Sequence, residues 1–259
     1  MKTSSKLLIV FFILMPVLMV VFNLLLKDQF VKGNITRRRP DSAKPPVIHE
    51  LKPFKYVVYN GKVVYRKGGR EKTMSNNQQL RLAVARGNTY RIDIDRRWKD
   101  MLEYSYHADT LFISYKLNEQ GDMDFYYWGG STILYAPELD GVSAGDGSVS
   151  LWPCRQVTPL KVEVLPSGSI SALDVNLPQL HLSVAGNAKV DLQQADIDTL
   201  AYDLKAQSEL SIKQSYTIKA LKPGMVDSTS IISISASAAR MVEMVPSGLH
   251  APKTVVTKQ

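Results

Sequence analysis

Three stretches spaced twenty residues apart decide the fold: LKVEVLPSGSISA from Leu160, LHLSVAGNAKVDL from Leu180 and LAYDLKAQSELSI from Leu200. Their first alternating positions hold Leu160, Val162 and Val164, then Leu180, Leu182 and Val184, then Leu200, Tyr202 and Leu204. Ten residues into each unit stand Ile170, Val190 and Leu210, and twelve in stand Ala172, Leu192 and Ile212. Alternation with a period of two marks strands with one buried face. The residue eight in is small each time (Gly168, Ala188, Ser208), and Ser228 continues that column. A recurring spacing of this length predicts stacked units, each made of two short strands around a corner of small or polar residues. One unit alone leaves its apolar side bare, whereas stacking aligns equivalent side chains into a continuous interior. The expected class is all-β, a parallel β-helix or solenoid with ~20-residue rungs. A β-sandwich is the alternative, because alternating strands of an antiparallel sheet can imitate a period over three copies.

Outward from this region the pattern loosens. After Lys222-Pro223-Gly224, the run Ser230–Ser237 alternates through Ile232 and Ile234 as a last strand or cap, and residues 246–259 read as a polar, frayed end of a 236–259 tail. Toward the N-terminus, Thr110–Leu117 alternates with Leu111, Ile113 and Tyr115 on one side, and Asn88–Asp95 with Tyr90, Ile92 and Ile94. Phe125–Trp128 and Ser131–Tyr135 flank Gly129-Gly130 as a hairpin, and the Gly-, Ser- and Asp-rich residues 138–150 are expected to be a loop. In a hairpin region over 54–87, Asn60-Gly61 between Tyr56–Tyr59 and Lys62–Tyr65 predicts a type I′ turn, since Asn-Gly accepts positive φ at both central positions. The solenoid-like domain is expected over 88–235.

Residues 7–26 read LLIVFFILMPVLMVVFNLLL, with no charge and one strongly polar side chain, Asn23. A helix of this length matches a hydrocarbon core about 30 Å thick. Lys2 and Lys6 precede it, in a short flank of residues 1–6, and Lys27 follows. The apolar run is longer than a signal-peptide core and Lys-Asp-Gln-Phe after it is no cleavage site, so an uncleaved transmembrane anchor is expected. Residues 27–53 form a basic, Pro-containing linker in which Arg37, Arg38 and Arg39 are candidates for contact with lipid headgroups. The expected location is a bacterial inner membrane, crossed once, with the C-terminal domain on the extracytoplasmic side. The flanking charges counted literally point the other way, because more cations follow the helix than precede it.

The net charge of +8 is confined to one segment. Residues 27–72 carry thirteen Lys and Arg against four Asp and Glu, while from residue 73 onward seventeen basic residues meet twenty acidic ones. A slightly acidic globular part argues against nucleic acid as a partner. Cys154 is the single cysteine, so no intramolecular disulfide forms, and it reads as a small buried hydrophobe.

The words SGS, AGN and AQS between strand pairs, with alternating apolar positions and small corner residues, resemble the autotransporter adhesin head GIN domain family of bacterial envelope proteins, frequent in Bacteroidetes. The resemblance covers residues 88–235 and is clearest from 160. The opening MKTSSKLL, the apolar run and the short basic linker also look like membrane-anchored proteins of that phylum. The resemblance implies a parallel β-helical fold on the envelope side of the membrane, and it implies no catalytic residues.

The search for chemistry finds little. His49, His107, His181 and His250 are dispersed and there is no Cys pair, so neither zinc nor another cofactor is expected. Asp93/Asp95, Asp122/Asp124 and Asp196/Asp198 each share a face if on a strand, but read as polar surface, with Asp196 and Asp198 placed in a connecting turn. Nucleophile elbow, P-loop and dinucleotide fingerprint are absent. Tyr104, Tyr106, Tyr126, Tyr127 and Trp128 are the candidate binding surface, because exposed Tyr and Trp anchor ligands, sugar rings included. The expectation is a non-catalytic binding or scaffolding protein that meets the lipid bilayer through residues 7–26 and an envelope glycan or protein through its β-domain. The alternative is a glycan-active lyase or hydrolase using the Asp pairs.

Overall fold

The computed structural model describes residues 45–67, 70–75, 79–96, 98–116, 132–213, 217–235, 243–244 and 253–257, and within the N-terminal segment the helical residues 11, 14–16, 18–24 and 27. The chain divides into two units, Met1–Ala43 and Lys44–Gln259. In the first, apolar side chains point outward around the helix, from Val21 at 46% exposure to Met19 at 67%. Asn23 Nδ2 donates to the Met19 carbonyl 2.9 Å away, so its amide is satisfied by its own helix. Among the described residues no helix is long and apolar enough to cross a membrane. The expected span 7–26 lies only partly among them, and Arg37, Arg38 and Arg39 lie outside them.

The second unit is all-β. Its described residues form one curled sheet: β1 (Val47–Glu50), β2 (Tyr56–Lys67), β3 (Arg70–Ser75), β4 (Gln79–Ala85), β5 (Arg91–Ile94), β6 (Leu102–His107), β7 (Thr110–Lys116), β8 (Thr132–Ala136), β9 (Gly141–Gly145), β10 (Ser148–Arg155), β11 (Leu160–Val164), β12 (Ser169–Val184), β13 (Lys189–Leu204), β14 (Glu209–Lys213), β15 (Thr217–Val226), β16 (Ile231–Ser235), β17 (Glu243–Met244) and β18 (Lys253–Thr257). Two columns of parallel pairings run through it. One joins β7, β2, β9, β11, the ends of β12 and β13, and β15. The other joins β8, β4, β10, the starts of β12 and β13, β14, β16 and β18.

Register follows the period. Leu160 faces Leu180, Leu180 faces Leu200, and Leu200 faces Leu221. In the second column Leu80, Val149, Ile170, Val190, Leu210 and Ile232 make one file. Every member of both files is at most 3% exposed, and both belong to one core. Each buried Leu, Ile or Val contributes roughly 1.5–3 kcal/mol relative to the exposed state. Equal spacing therefore converts one apolar position into a stabilising file only while the register holds.

The corners explain the curl. Gly168, Ala188, Ser208 and Ser230 each donate N–H to the carbonyl three residues back, at 3.0–3.1 Å. Ser167, Asn187 and Gln207 take positive φ of 63°, 59° and 59° as the third residue of the first three turns. That is the conformation a type II turn demands of its third residue. A second bend falls inside the long strands at Asp174 and Gln194, again left-handed and again twenty residues apart.

Several expectations are corrected. Asn60-Gly61 makes no hairpin: β2 runs through it, with a register shift against β7 between Tyr59 and Val63, and β2 pairs antiparallel with β3 instead. Gly61 serves a close approach instead, since a Cβ there would stand 2.6 Å from Gly147 Cα. Residues 138–150 are not a loop but hold β9 and the start of β10. Their glycines allow tight layering, as Tyr56 lies where a Cβ of Gly141 would be, 2.8 Å from Cδ1. The small column passes from Ser208 to Ser230 rather than Ser228, because this turn of chain is two residues longer; the two hydroxyls are 3.2 Å apart. Asp196 and Asp198 lie within strand β13, not in a turn. Residues 253–257 of the expected tail form β18, parallel to β16. The Phe125–Trp128 half of the other expected hairpin lies outside the described residues.

One end of the sheet is closed by antiparallel strands. β6 pairs with β7, β5 with β8, and β1 with β5. They cover edges that would otherwise offer unpaired backbone groups to another chain. Phe54 and Trp98 seal the core there, edge-on to Tyr90 and Tyr115.

Candidate functional site

The outward half of the alternation builds a polar face on the second column. In register across it stand Gln79, Ser148, Ser169, Lys189 and Glu209, and beside them Arg81, Ser150, Ser171, Asp191, Ser211 and Ser233. Two adjoining hollows share Gln79 and Ser171. The larger, about 500 Å³, is lined among others by Ser169, Lys189, Asp191, Glu209 and Lys213. The smaller, about 310 Å³, is lined by Arg81, Ser150, Trp152 and Gln193 among others.

Among the described residues Trp152 is the aromatic of this groove. It lies where β10 shifts register against β4, between Leu151 and Cys154, and such irregularities re-aim a side chain. Its ring is 43% exposed, and the Arg81 guanidinium carbon is 5.5 Å from the ring centroid, within cation–π range. The larger hollow is internally neutralised: Lys189 Nζ is 3.0 Å from Glu209 Oε2, and Lys213 Nζ is 2.8 Å from Asp191 Oδ2. Gln193 Nε2 also donates to Asp191 Oδ2 at 2.8 Å, and Gln79 Nε2 to Ser171 Oγ at 3.3 Å. Among the described residues Arg81 has no carboxylate partner.

The candidates named from sequence are scattered. Tyr104 and Tyr106 are half-buried on β6. The Tyr104 hydroxyl is 3.1 Å from His49 Nδ1, and the Tyr106 hydroxyl accepts the Lys52 N–H at 3.0 Å. Both phenols thus hold the segment before β2 against the cap. Tyr126, Tyr127, Trp128 and the Asp122/Asp124 pair lie outside the described residues. Asp93 is buried beside Arg91 at 3.4 Å, and that guanidinium lies 4.2 Å from the Tyr135 ring centroid. Asp198 pairs with Lys219, and Asp196 accepts a long bond from Asn176. His181 is half-exposed, 3.7 Å from Asp203 Oδ2. Among the described residues no three metal-ligating groups cluster. Burial pushes the Cys154 thiol up to about 12, so it is not a nucleophile.

Trp152 and Arg81 were missed. The available signal was phase: Val149 and Leu151 point inward, which turns Trp152 outward, while Ser150, buried, lines the floor of the hollow. The glycines of residues 138–150, with the composition of a loop, mask that phase.

No family model matches the chain, and no curated protein matches it. Solved structures do. A "putative adhesin" from Parabacteroides distasonis shares the fold with a TM-score of 0.51 at 10% identity, covering 82% of this chain and 91% of its own. A "putative adhesin" from Bacteroides fragilis aligns with a TM-score of 0.43 at 11% identity, over 84% of this chain and 97% of its own. A "putative lipid binding protein" from Parabacteroides distasonis aligns with a TM-score of 0.36 at 13% identity, over 84% and 95%.

Proposed function

We propose that this chain is a membrane-anchored protein of the bacterial cell envelope whose β-domain, a parallel β-helix with turns of about twenty residues, binds or scaffolds without catalysis. The observation that carries it is the groove: a long polar face with an exposed Trp152, in which the carboxylates of Asp191 and Glu209 are each held by a lysine. A carboxylate tied to an ammonium is poorly placed to move protons, whereas matched charge and an exposed indole suit recognition. The twenty-residue register and the left-handed corners support the coil. Kinship with the GIN domain family is part of the same reading, supported by the corner words and by the fold shared with the Parabacteroides protein.

The anchor is supported by the outward apolar side chains of the described helix residues, which are costly in water and at home in lipid, and by the length of the 7–26 run. An extracytoplasmic domain is degraded by protease added to intact spheroplasts. A domain that resists until the membrane is permeabilised would reverse the orientation.

A second reading, a glycan-active enzyme, has one observation in its favour: Asp191 and Glu209 face the same groove with Lys189 and Lys213. Appearance of new reducing ends on incubation with envelope polysaccharides, lost in Asp191→Asn, would favour it. Unchanged chain length supports the binding reading.

A further inference from the structure

Once the two ion pairs are set aside, the groove has one charge left over among the described residues. Arg81 is half-buried, lies over the Trp152 ring and meets no carboxylate among the described residues. A guanidinium in that position offers a planar fork to a carboxylate, and the pairing is geometrically specific. The indole beside it supplies an apolar surface of the kind on which the C–H face of a sugar ring packs. Around these two stand Ser150, Ser171, Gln79 and Gln193, whose hydroxyls and amides both donate and accept, as sugar hydroxyls do. Parallel strands lie about 4.7–4.9 Å apart, close to the length of one sugar ring, so a chain of rings lying across them meets one outward polar position per step, in the row Arg81, Ser150, Ser171, Asp191, Ser211 and Ser233. Farther along, the charges are already matched, which favours neutral units there.

We propose that the groove binds an oligosaccharide bearing a uronic acid, with the carboxylate on Arg81, a sugar ring against Trp152 and neutral sugars running over Ser171 toward Lys213. This rests on the reading of the domain as a binding module and narrows its ligand. A single-stranded nucleic acid also stacks on tryptophan, but it would carry a phosphate at every unit past Asp191 and Glu209.

The test is calorimetric titration of the full chain in detergent micelles with glucuronosyl-xylotriose and with neutral xylotetraose. The acidic sugar is expected to bind about tenfold tighter, a difference of about 1.4 kcal/mol. Arg81→Gln should erase that preference. Trp152→Ala should weaken both by about tenfold, with an unaltered melting temperature showing that the fold is intact. Ser171→Trp, which fills the groove from a different strand, should abolish both. Absence of heat with either sugar, or affinity undiminished in Trp152→Ala, overturns the proposal, as does displacement of the sugar by micromolar oligothymidylate. Equal affinity for the two sugars overturns the acidic assignment while leaving a binding module standing. Cleavage of either sugar overturns the module itself.

Discussion

Gly168 has room for no side chain, since a Cβ there would stand 2.5 Å from the Ala144 carbonyl oxygen. One and two layers on, Ala188 and Ser208 fill the equivalent place, both fully buried. The tight contact is with backbone, which cannot swing aside. Gly168→Ala is therefore expected to destabilise by about 2 kcal/mol, read from the urea midpoint at constant slope. Cys154 makes a second prediction at this scale. An unfolded thiol loses its proton near 9.0, while the folded one holds it to about 12. Between those values the unfolded chain binds fewer protons, so stability falls as pH rises through that window. Buried Tyr59 and Tyr115, whose phenols burial also raises, act in the same direction at higher pH. Cys154→Ala should flatten the first part of the fall, measured as unfolding free energy from about pH 8 to 10. An identical slope in both proteins would show that the thiol is not buried as described.

At the scale of the element, alternation is what the strands obey and what a substitution tests. In β12, Leu180 is fully buried and its neighbour His181 points outward. Leu180→Ala is expected to cost about 3 kcal/mol. His181→Ala should stay within about 0.5 kcal/mol. Equal effects from the two would mean the strand faces the other way. The same alternation made these strands legible in the sequence, because period two and a large apolar set specify one face and one register. Elements without that signature were misread. β9 and the two residues that lead into β10 carry Gly141, Gly145 and Gly147, whose composition reads as loop although close layering requires it. Asn60-Gly61 carries the strongest local turn signal in the chain, yet packing against Gly147 holds it straight, and Asn60 Oδ1 instead accepts the Lys62 N–H within the bulge. Tertiary contact outweighed local preference in both cases. Trp152 is hard to read for the same reason, since Gly145 and Gly147 just before its strand carry the composition of a loop.

At the scale of the whole β-unit, order in the chain and order in space part company. β2 and β4 lie between β7 and β9 and between β8 and β10, so a stretch met early is inserted between two met later. No spacing in one sequence reveals such an insertion, because the period records what repeats and not what intervenes. The twenty-residue recurrence does reveal the neighbours from β11 onward. Engineered disulfides test that neighbourhood directly. In a Cys154→Ala background, Lys161→Cys with His181→Cys pairs positions that face each other in register and point outward, and the spacing of neighbouring strands, about 4.7–4.9 Å, falls within the roughly 4.4–6.8 Å that a disulfide spans. Lys161→Cys with Ser183→Cys places the second thiol one step out of register. Mild oxidation should close the first pair rapidly, seen as faster migration on a non-reducing gel, and leave the second open. Closure of the second pair in preference to the first, or of neither, would contradict the stacked twenty-residue layers.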